Sequence, residues 1–269
     1  MSKRKTNKSR TNNHHVAGNN VIQFNDYLPS KTRKKHVEII PRNLAQEDYI
    51  VAIEDCTIVF GIGPAGTGKT LIATLLAIRA LKENEIEKII ITRPAVSVDE
   101  QHGFLPGSLV EKMAPWTRPI FDVFEEYFSP KEIESMIEEN IIEVAPLAYM
   151  RGRTLNDACI ILDEAQNTTC AQMKMFLTRM GEGSRIVVSG DVTQVDLPGG
   201  VTSGLRDAWQ RLGGIKGISF VTLGSRDIVR HKLVQNIVER YDSREAANQN
   251  LAAQAGMVDK REREKDSPN

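Results

Sequence analysis

Short apolar, β-branched runs alternate along this chain with stretches of helical periodicity. The pattern predicts an α/β fold of three layers, a mostly parallel sheet flanked by helices, with an inserted helical element. Two observations carry the prediction. Residues 57–62 are an apolar strand, 69–82 repeat Leu71, Ile72, Leu75, Leu76, Ile78 and Leu81 at helical spacing, and 88–92 return to a strand pattern, which is a βαβ unit. The same alternation then continues to the end of the apolar sequence, with strands expected at 141–144, 158–162, 185–189 and 218–222 and helices near 131–139, 169–180, 204–212 and 227–241. Between 97 and 129 it breaks. Pro106, Gly107, Pro115 and Pro119 interrupt a run holding Trp116, Phe121, Phe124, Tyr127 and Phe128, and this is the inserted helical element, serving as a packing lid or as a partner surface.

The turn between the first strand and its helix reads Gly63-Pro64-Ala65-Gly66-Thr67-Gly68-Lys69-Thr70, a complete G-x-x-x-x-G-K-[ST] phosphate loop. Glycines let the backbone turn tightly enough for successive N–H groups to face the phosphates, Lys69 adds a positive charge, and the Thr70 hydroxyl can ligate Mg²⁺. A nucleoside triphosphate is the expected ligand. Just upstream, in the stretch 41–49, Gln46 can satisfy donor and acceptor together on an adenine edge while Tyr49 stacks on the base; the alternative is an ordinary helix start with Asn43 as N-cap.

Strand 158–162 delivers two acids, Asp163 and Glu164, at its C-terminal end, where open parallel sheets bind ligands. Asp163 is expected to hold Mg²⁺ and Glu164 to orient and deprotonate an attacking water, which points to hydrolysis; an acceptor hydroxyl would have less need of the second acid. Strand 185–189 leads into Gly190-Asp191-Val192-Thr193-Gln194, where Gln194 is placed to sense a γ-phosphate and exchange hydrogen-bond partners when it leaves. In 224–231 Arg226 and Arg230 oppose the dipole of the helix they open, so an anion is expected there, with Arg230 steadying charge on the γ-phosphate and ion pairing as the competing role. Arg93, Arg151 and Arg153 lie at strand ends or loops on the same expected edge and suit phosphate contact.

The 269 residues, 41% hydrophobic, suffice for one principal domain. Expected boundaries are a flexible basic arm over 1–36, the ATPase domain over 37–243 and a polar tail over 244–269. No apolar stretch reaches the length of a membrane span, and Met1-Ser2-Lys3-Arg4-Lys5 leads into polar residues, so a cytoplasmic protein with no membrane partner is expected. Three cysteines without paired spacing support neither a disulfide framework nor zinc. Net charge is zero, 35 basic against 35 acidic residues, but the first 36 residues carry nine basic side chains against Asp26 alone, a local footprint for nucleic acid or a solubilising tail.

Taken together, the phosphate loop, Thr92-Arg93-Pro94-Ala95-Val96, Met150-Arg151-Gly152-Arg153-Thr154-Leu155, Asp163-Glu164-Ala165-Gln166-Asn167-Thr168-Thr169 and Gly190-Asp191-Val192-Thr193-Gln194-Val195-Asp196-Leu197-Pro198 resemble the PhoH family of phosphate-starvation-inducible ATPases. The likeness spans roughly residues 40 to 241. It implies a RecA-like core related to superfamily 1 helicases, ATP and Mg²⁺ as cofactors, assembly into a homo-oligomer such as a hexameric ring, and RNA or single-stranded nucleic acid as partner. Some relatives carry a PIN-type ribonuclease domain; the arm is too short for one, and nuclease activity is not carried over. The competing class is a nucleotide-dependent switch or scaffold with little turnover.

Overall fold

A computed structural model describes residues 36–94 and 109–229, together with 233, 234, 236, 237 and 240. Its centre is a sheet of six strands, β1 (Ile58–Ile62), β2 (Lys88–Arg93), β3 (Ile142–Pro146), β4 (Ala158–Leu162), β5 (Arg185–Gly190) and β6 (Ile218–Thr222). Every pairing is parallel, in the order β3-β2-β4-β5-β1-β6. Parallel strands need crossovers. α1 (Leu44–Asp55) precedes β1; α2 (Lys69–Lys82), α3 (Leu109–Glu125), α4 (Pro130–Glu138), α5 (Cys170–Leu177) and α6 (Gly204–Leu212) lie in the crossovers, and β3 passes to β4 through a single 3₁₀ turn, Leu147–Met150.

Successive strand side chains point to opposite faces, so each strand feeds two cores. Val59, Ile89, Ile91, Ile161 and Val187 pack with Ile53 of α1, Ile72 of α2, Phe124 of α3 and Ile133 of α4. Phe60, Ile160, Leu162 and Val188 pack with Phe176 of α5 and Leu205 of α6. This is the expected three-layer α/β architecture, and β4 and β6 have the bounds read from the sequence.

The stretch rich in proline is corrected. Pro115 and Pro119 do not interrupt a helix; both lie inside α3, a single 17-residue helix. Each proline costs a backbone hydrogen bond and about 3 kcal/mol in a helix interior. Against this, Ile120, Val123 and Phe124 are buried, each side chain contributing roughly 1.5–3 kcal/mol. The expected helical element is thus present as α3, which with α4 carries the chain from β2 to β3 and packs Ile120, Val123 and Phe124 into the core; Pro106 and Gly107 lie outside the described residues. Two other helices also end differently from expectation. The Thr178 hydroxyl bonds the carbonyls of Lys174 and Met175, and α5 stops at Leu177 instead of reaching 180. The helix expected from 227 starts later. Ser225–Asp227 form one 3₁₀ turn, Ile228 is extended, and the Val229 N–H donates to the Gly66 carbonyl instead of to its own turn.

β1 lies between β5 and β6, and β4 lies beside β5. The C-terminal ends of β4, β5 and β1 are thus adjacent, which brings the loops after residues 62, 162 and 190 to one edge of the sheet.

Candidate nucleotide site

Those three loops enclose a pocket of about 250 Å³ lined by Gly66, Gly68, Lys69, Thr70, Asp163, Glu164, Asp191 and Gln194, among others. Residues as far apart in sequence as Ala65 and Gln194 meet there because the strand order places their loops side by side.

The phosphate loop is shaped by its glycines and by three supports. Gly66 and Gly68 both have φ of 86°, the left-handed region in which a side chain is strained, and Gly68 is the N-cap of α2. Gly63 is tied to the scaffold: its N–H donates to the Gly190 carbonyl at 3.0 Å, and a Cβ there would lie 2.0 Å from the Leu223 carbonyl oxygen. From below, the Gln46 amide donates to the Thr67 carbonyl at 3.0 Å, while its oxygen accepts from the Arg42 N–H at 2.9 Å. From the far side, Val229 N–H holds Gly66 at 3.0 Å, and Asn43 donates to the Asp227 carbonyl at 3.4 Å.

Each amide end of Gln46 thus has a partner in the protein. Tyr49 is completely buried, its ring only 2.7 Å from where a Cβ on Gly61 would stand. The reading of Tyr49 as a stacking platform is corrected: the ring is a core side chain. Asn43 does cap α1, its side chain accepting from the Gln46 N–H at 2.8 Å.

Lys69 is 9% exposed and bends back over its own loop, its Nζ donating to the carbonyls of Gly63 at 2.6 Å and Pro64 at 2.9 Å. Burial lowers its pKa below the usual lysine value, an effect opposed by the nearby charges of Asp163, Asp191 and Glu164. The Thr70 hydroxyl donates to Asp163 Oδ1 at 2.9 Å. Burial, and then repulsion from Glu164, raise the Asp163 carboxyl above its ordinary range; Thr70 and Arg93 work in the other direction. A hydroxyl and a half-buried carboxylate side by side suit a hard divalent cation that keeps waters and shares phosphate oxygens. No cluster of three His, Cys, Asp or Glu side chains able to hold a metal occurs among the described residues, so such a cation would depend on the nucleotide for further ligands.

Glu164 has φ of 51°, a left-handed backbone for a residue with a side chain, and its carboxylate accepts from Gln166 Nε2 at 2.6 Å. Asp191 folds over its own turn, accepting from the Thr193 N–H at 2.9 Å and from Gln194 Nε2 at 2.8 Å. The structure therefore brings Lys69, Thr70, Asp163, Glu164 and Gln194 to one pocket. Arg230 lies outside the described residues, although its neighbour Val229 touches the phosphate loop. Arg153 is not free for phosphate: it makes a two-pronged ion pair with Glu143, its Nη2 at 2.7 Å from Oε2. Residue-by-residue reading missed Gln166, whose only signal was its place two positions after Glu164. The Cys159 thiol is pushed up to about 12 by burial, in keeping with a core role.

A complete phosphate loop at the end of β1, facing an acidic strand end across a parallel sheet, defines a P-loop protein of the nucleotide-binding class. Residues 38–242 match the PhoH family, described as PhoH-like protein, and the chain belongs to that family. It is 51% identical over 219 residues to the PhoH-like protein of Bacillus subtilis (strain 168), a match covering 81% of this chain and 68% of the relative. It is 57% identical over 203 residues to the PhoH-like protein of Mycobacterium tuberculosis (strain ATCC 25618 / H37Rv), covering 76% of this chain and 58% of the relative. Among solved structures, the crystal structure of Pif1 helicase from Candida albicans aligns with 75% of this chain and 43% of that one, at 16% identity and a TM-score of 0.40. No described helix is long and apolar enough to cross a membrane.

Proposed function

We propose that this chain hydrolyses ATP with Mg²⁺ and uses the cycle to move or remodel RNA or single-stranded nucleic acid as a homo-oligomer, for example a hexameric ring. The observation that carries the reading is the single pocket in which Lys69, Thr70, Asp163, Glu164 and Gln194 converge.

Loop N–H groups between Ala65 and Thr70 bind the triphosphate, and Lys69 exchanges the Gly63 and Pro64 carbonyls for phosphate oxygens. Thr70 and Asp163 would hold Mg²⁺, which when bound would supply positive charge against the negative charge that grows on the leaving group. Glu164 takes the proton of the attacking water as its oxygen bonds to the γ-phosphorus. The bond from that phosphorus to the bridging oxygen breaks, and ADP leaves with the electron pair. Gln194, now on Asp191, turns to the γ-phosphate and returns when phosphate departs. Arg230, next to the anchored Val229, supplies a further positive charge, within the same chain or to a neighbour. Gln46 acts by fixing Thr67 with one of its two amide hydrogens, which leaves the second for contact with a base.

The basic residues of 1–36 are the source of nucleic-acid affinity, and a motor built on a single α/β unit needs a second copy to work against. The test is phosphate release by the full chain, and by a chain lacking 1–36, across a panel of RNA, single-stranded and duplex DNA, with mass measured in solution. Turnover raised by RNA or single strands, less so without the arm, in an assembly of defined size, supports the reading. ATP bound with no release under any condition replaces it with a switch or scaffold.

A further inference from the structure

We infer that Gln166 is the positioning residue that sets Glu164 for water activation and ties it to the loop carrying Gln194. The inference rests on the proposed ATP hydrolysis and assigns a role to a residue outside the phosphate loop and the acid pair.

Gln166 lies in the 3₁₀ turn Ala165–Asn167 and is 1% exposed. Each polar group of its side chain has one partner. Nε2 donates to Glu164 Oε2 at 2.6 Å, and Oε1 accepts from the Asp191 N–H at 3.0 Å. Its carbonyl accepts from the Ser203 hydroxyl at 2.7 Å, which fixes the turn from the side of α6. A Cβ on Gly190 would stand 2.9 Å from Gln166 Oε1 and 2.6 Å from Leu205 Cδ2, so glycine before Asp191 leaves the amide room to reach this place.

The chain of bonds runs Glu164 to Gln166 to Asp191 to Gln194, crossing from the end of β4 to the end of β5. Glu164 sits on left-handed backbone with a carboxylate that could swing; the short bond from Gln166 selects one orientation. Because the bond to Asp191 uses the backbone N–H, it survives when Gln194 leaves the Asp191 side chain, and Glu164 stays registered to the sensing loop throughout the cycle. A side-chain amide is suited to this: it donates at one end and accepts at the other, whereas a carboxylate or an apolar residue of equal length can do at most one.

The experiment uses the full chain with Gln166→Glu, which keeps the acceptor for Asp191, and Gln166→Met, which keeps length alone. Each is also made in the Glu164→Gln background, and melting temperatures accompany every rate. In the otherwise unaltered chain kcat falls by about tenfold or more, while KM for MgATP and the affinity for a non-hydrolysable analogue change by less than about threefold. In the Glu164→Gln background the same substitutions change the residual single-turnover rate by less than about twofold, since a residue acting through Glu164 has nothing left to position. Should one variant fail to fold, the other carries the test. Unchanged kcat, or an equal fall in the Glu164→Gln background, marks Gln166 as scaffold and overturns the inference while leaving ATP hydrolysis standing. A parent chain that binds MgATP but hydrolyses none removes the reaction itself, and the inference with it.

Discussion

The Thr70 hydroxyl donates to Asp163 at 2.9 Å, joining the first turn of α2 to the end of β4 across 93 positions of sequence. In this arrangement the hydroxyl's oxygen and the carboxylate face the same pocket as Lys69, and both groups are oriented before any cation arrives. Replacement of Asp163 by Asn retains an acceptor for Thr70 and removes the charge. Hydrolysis is then expected to fall by at least about a hundredfold, because several kcal/mol of metal-borne stabilisation are lost, while folding is kept. A magnesium titration of the rate checks this; the variant should need far more Mg²⁺ or show no rate at all.

Lys69 gives a pH dependence with a defined sign. Burial holds its folded pKa below the ordinary lysine value of 10.5. Between that lowered value and 10.5 the unfolded chain keeps a proton the folded chain lacks, so the cost of burying the ammonium is full below the window and is relieved as pH rises through it. A bound triphosphate restores the ammonium and takes up a proton in the same window. Affinity for a non-hydrolysable MgATP analogue should therefore fall as pH rises above the folded value, approaching about tenfold per pH unit. With Lys69→Arg, which stays charged, the profile should be flat over the same range. Equal slopes for the two chains would detach Lys69 from the ligand.

Gly63 packs against backbone, which cannot swing aside as a side chain would. An added Cβ would meet the Leu223 carbonyl oxygen at 2.0 Å, and Leu223 is itself fixed by its N–H to the Ile62 carbonyl at 2.8 Å. Gly63→Ala is expected to lose about 1–3 kcal/mol or more of stability, the cost of overpacking. Gly199 provides the control, since a Cβ added there would have nothing within 4 Å. Gly199→Ala should unfold within about 0.5 kcal/mol of the parent, as surface substitutions do. Urea midpoints of the three chains check the contrast.

What the sequence made legible was local and periodic. The apolar run 158–162 and the spacing from Lys69 to Lys82 gave β4 and α2 with the bounds the structure has. So did the placement of Lys69, Thr70, Asp163, Glu164 and Gln194 at strand ends, because parallel-sheet topology sends such ends to one edge. The failures were tertiary. Pro115 and Pro119 read as breakers because their cost is local, while the burial of Ile120 and Phe124 that outweighs it depends on β3 and α2. Tyr49 read as a base platform because its distance along the chain was right, yet Gly61 leaves room for the ring inside. Arg153 read as a phosphate ligand because nothing local shows Glu143 ten residues earlier as its partner. The role of Gln166 needed β5 beside β4, a neighbour relation that spacing does not contain.

In the proposed reaction one pocket binds ATP and Glu164 readies water within it. Phosphate release from MgATP by the parent chain and by Glu164→Gln, each with its affinity for ATP, tests this most directly. Turnover is expected in the parent and, in the variant, affinity within about threefold but release slower by about 10²–10⁴-fold, the usual contribution of a general base. Equal release by both chains would contradict it.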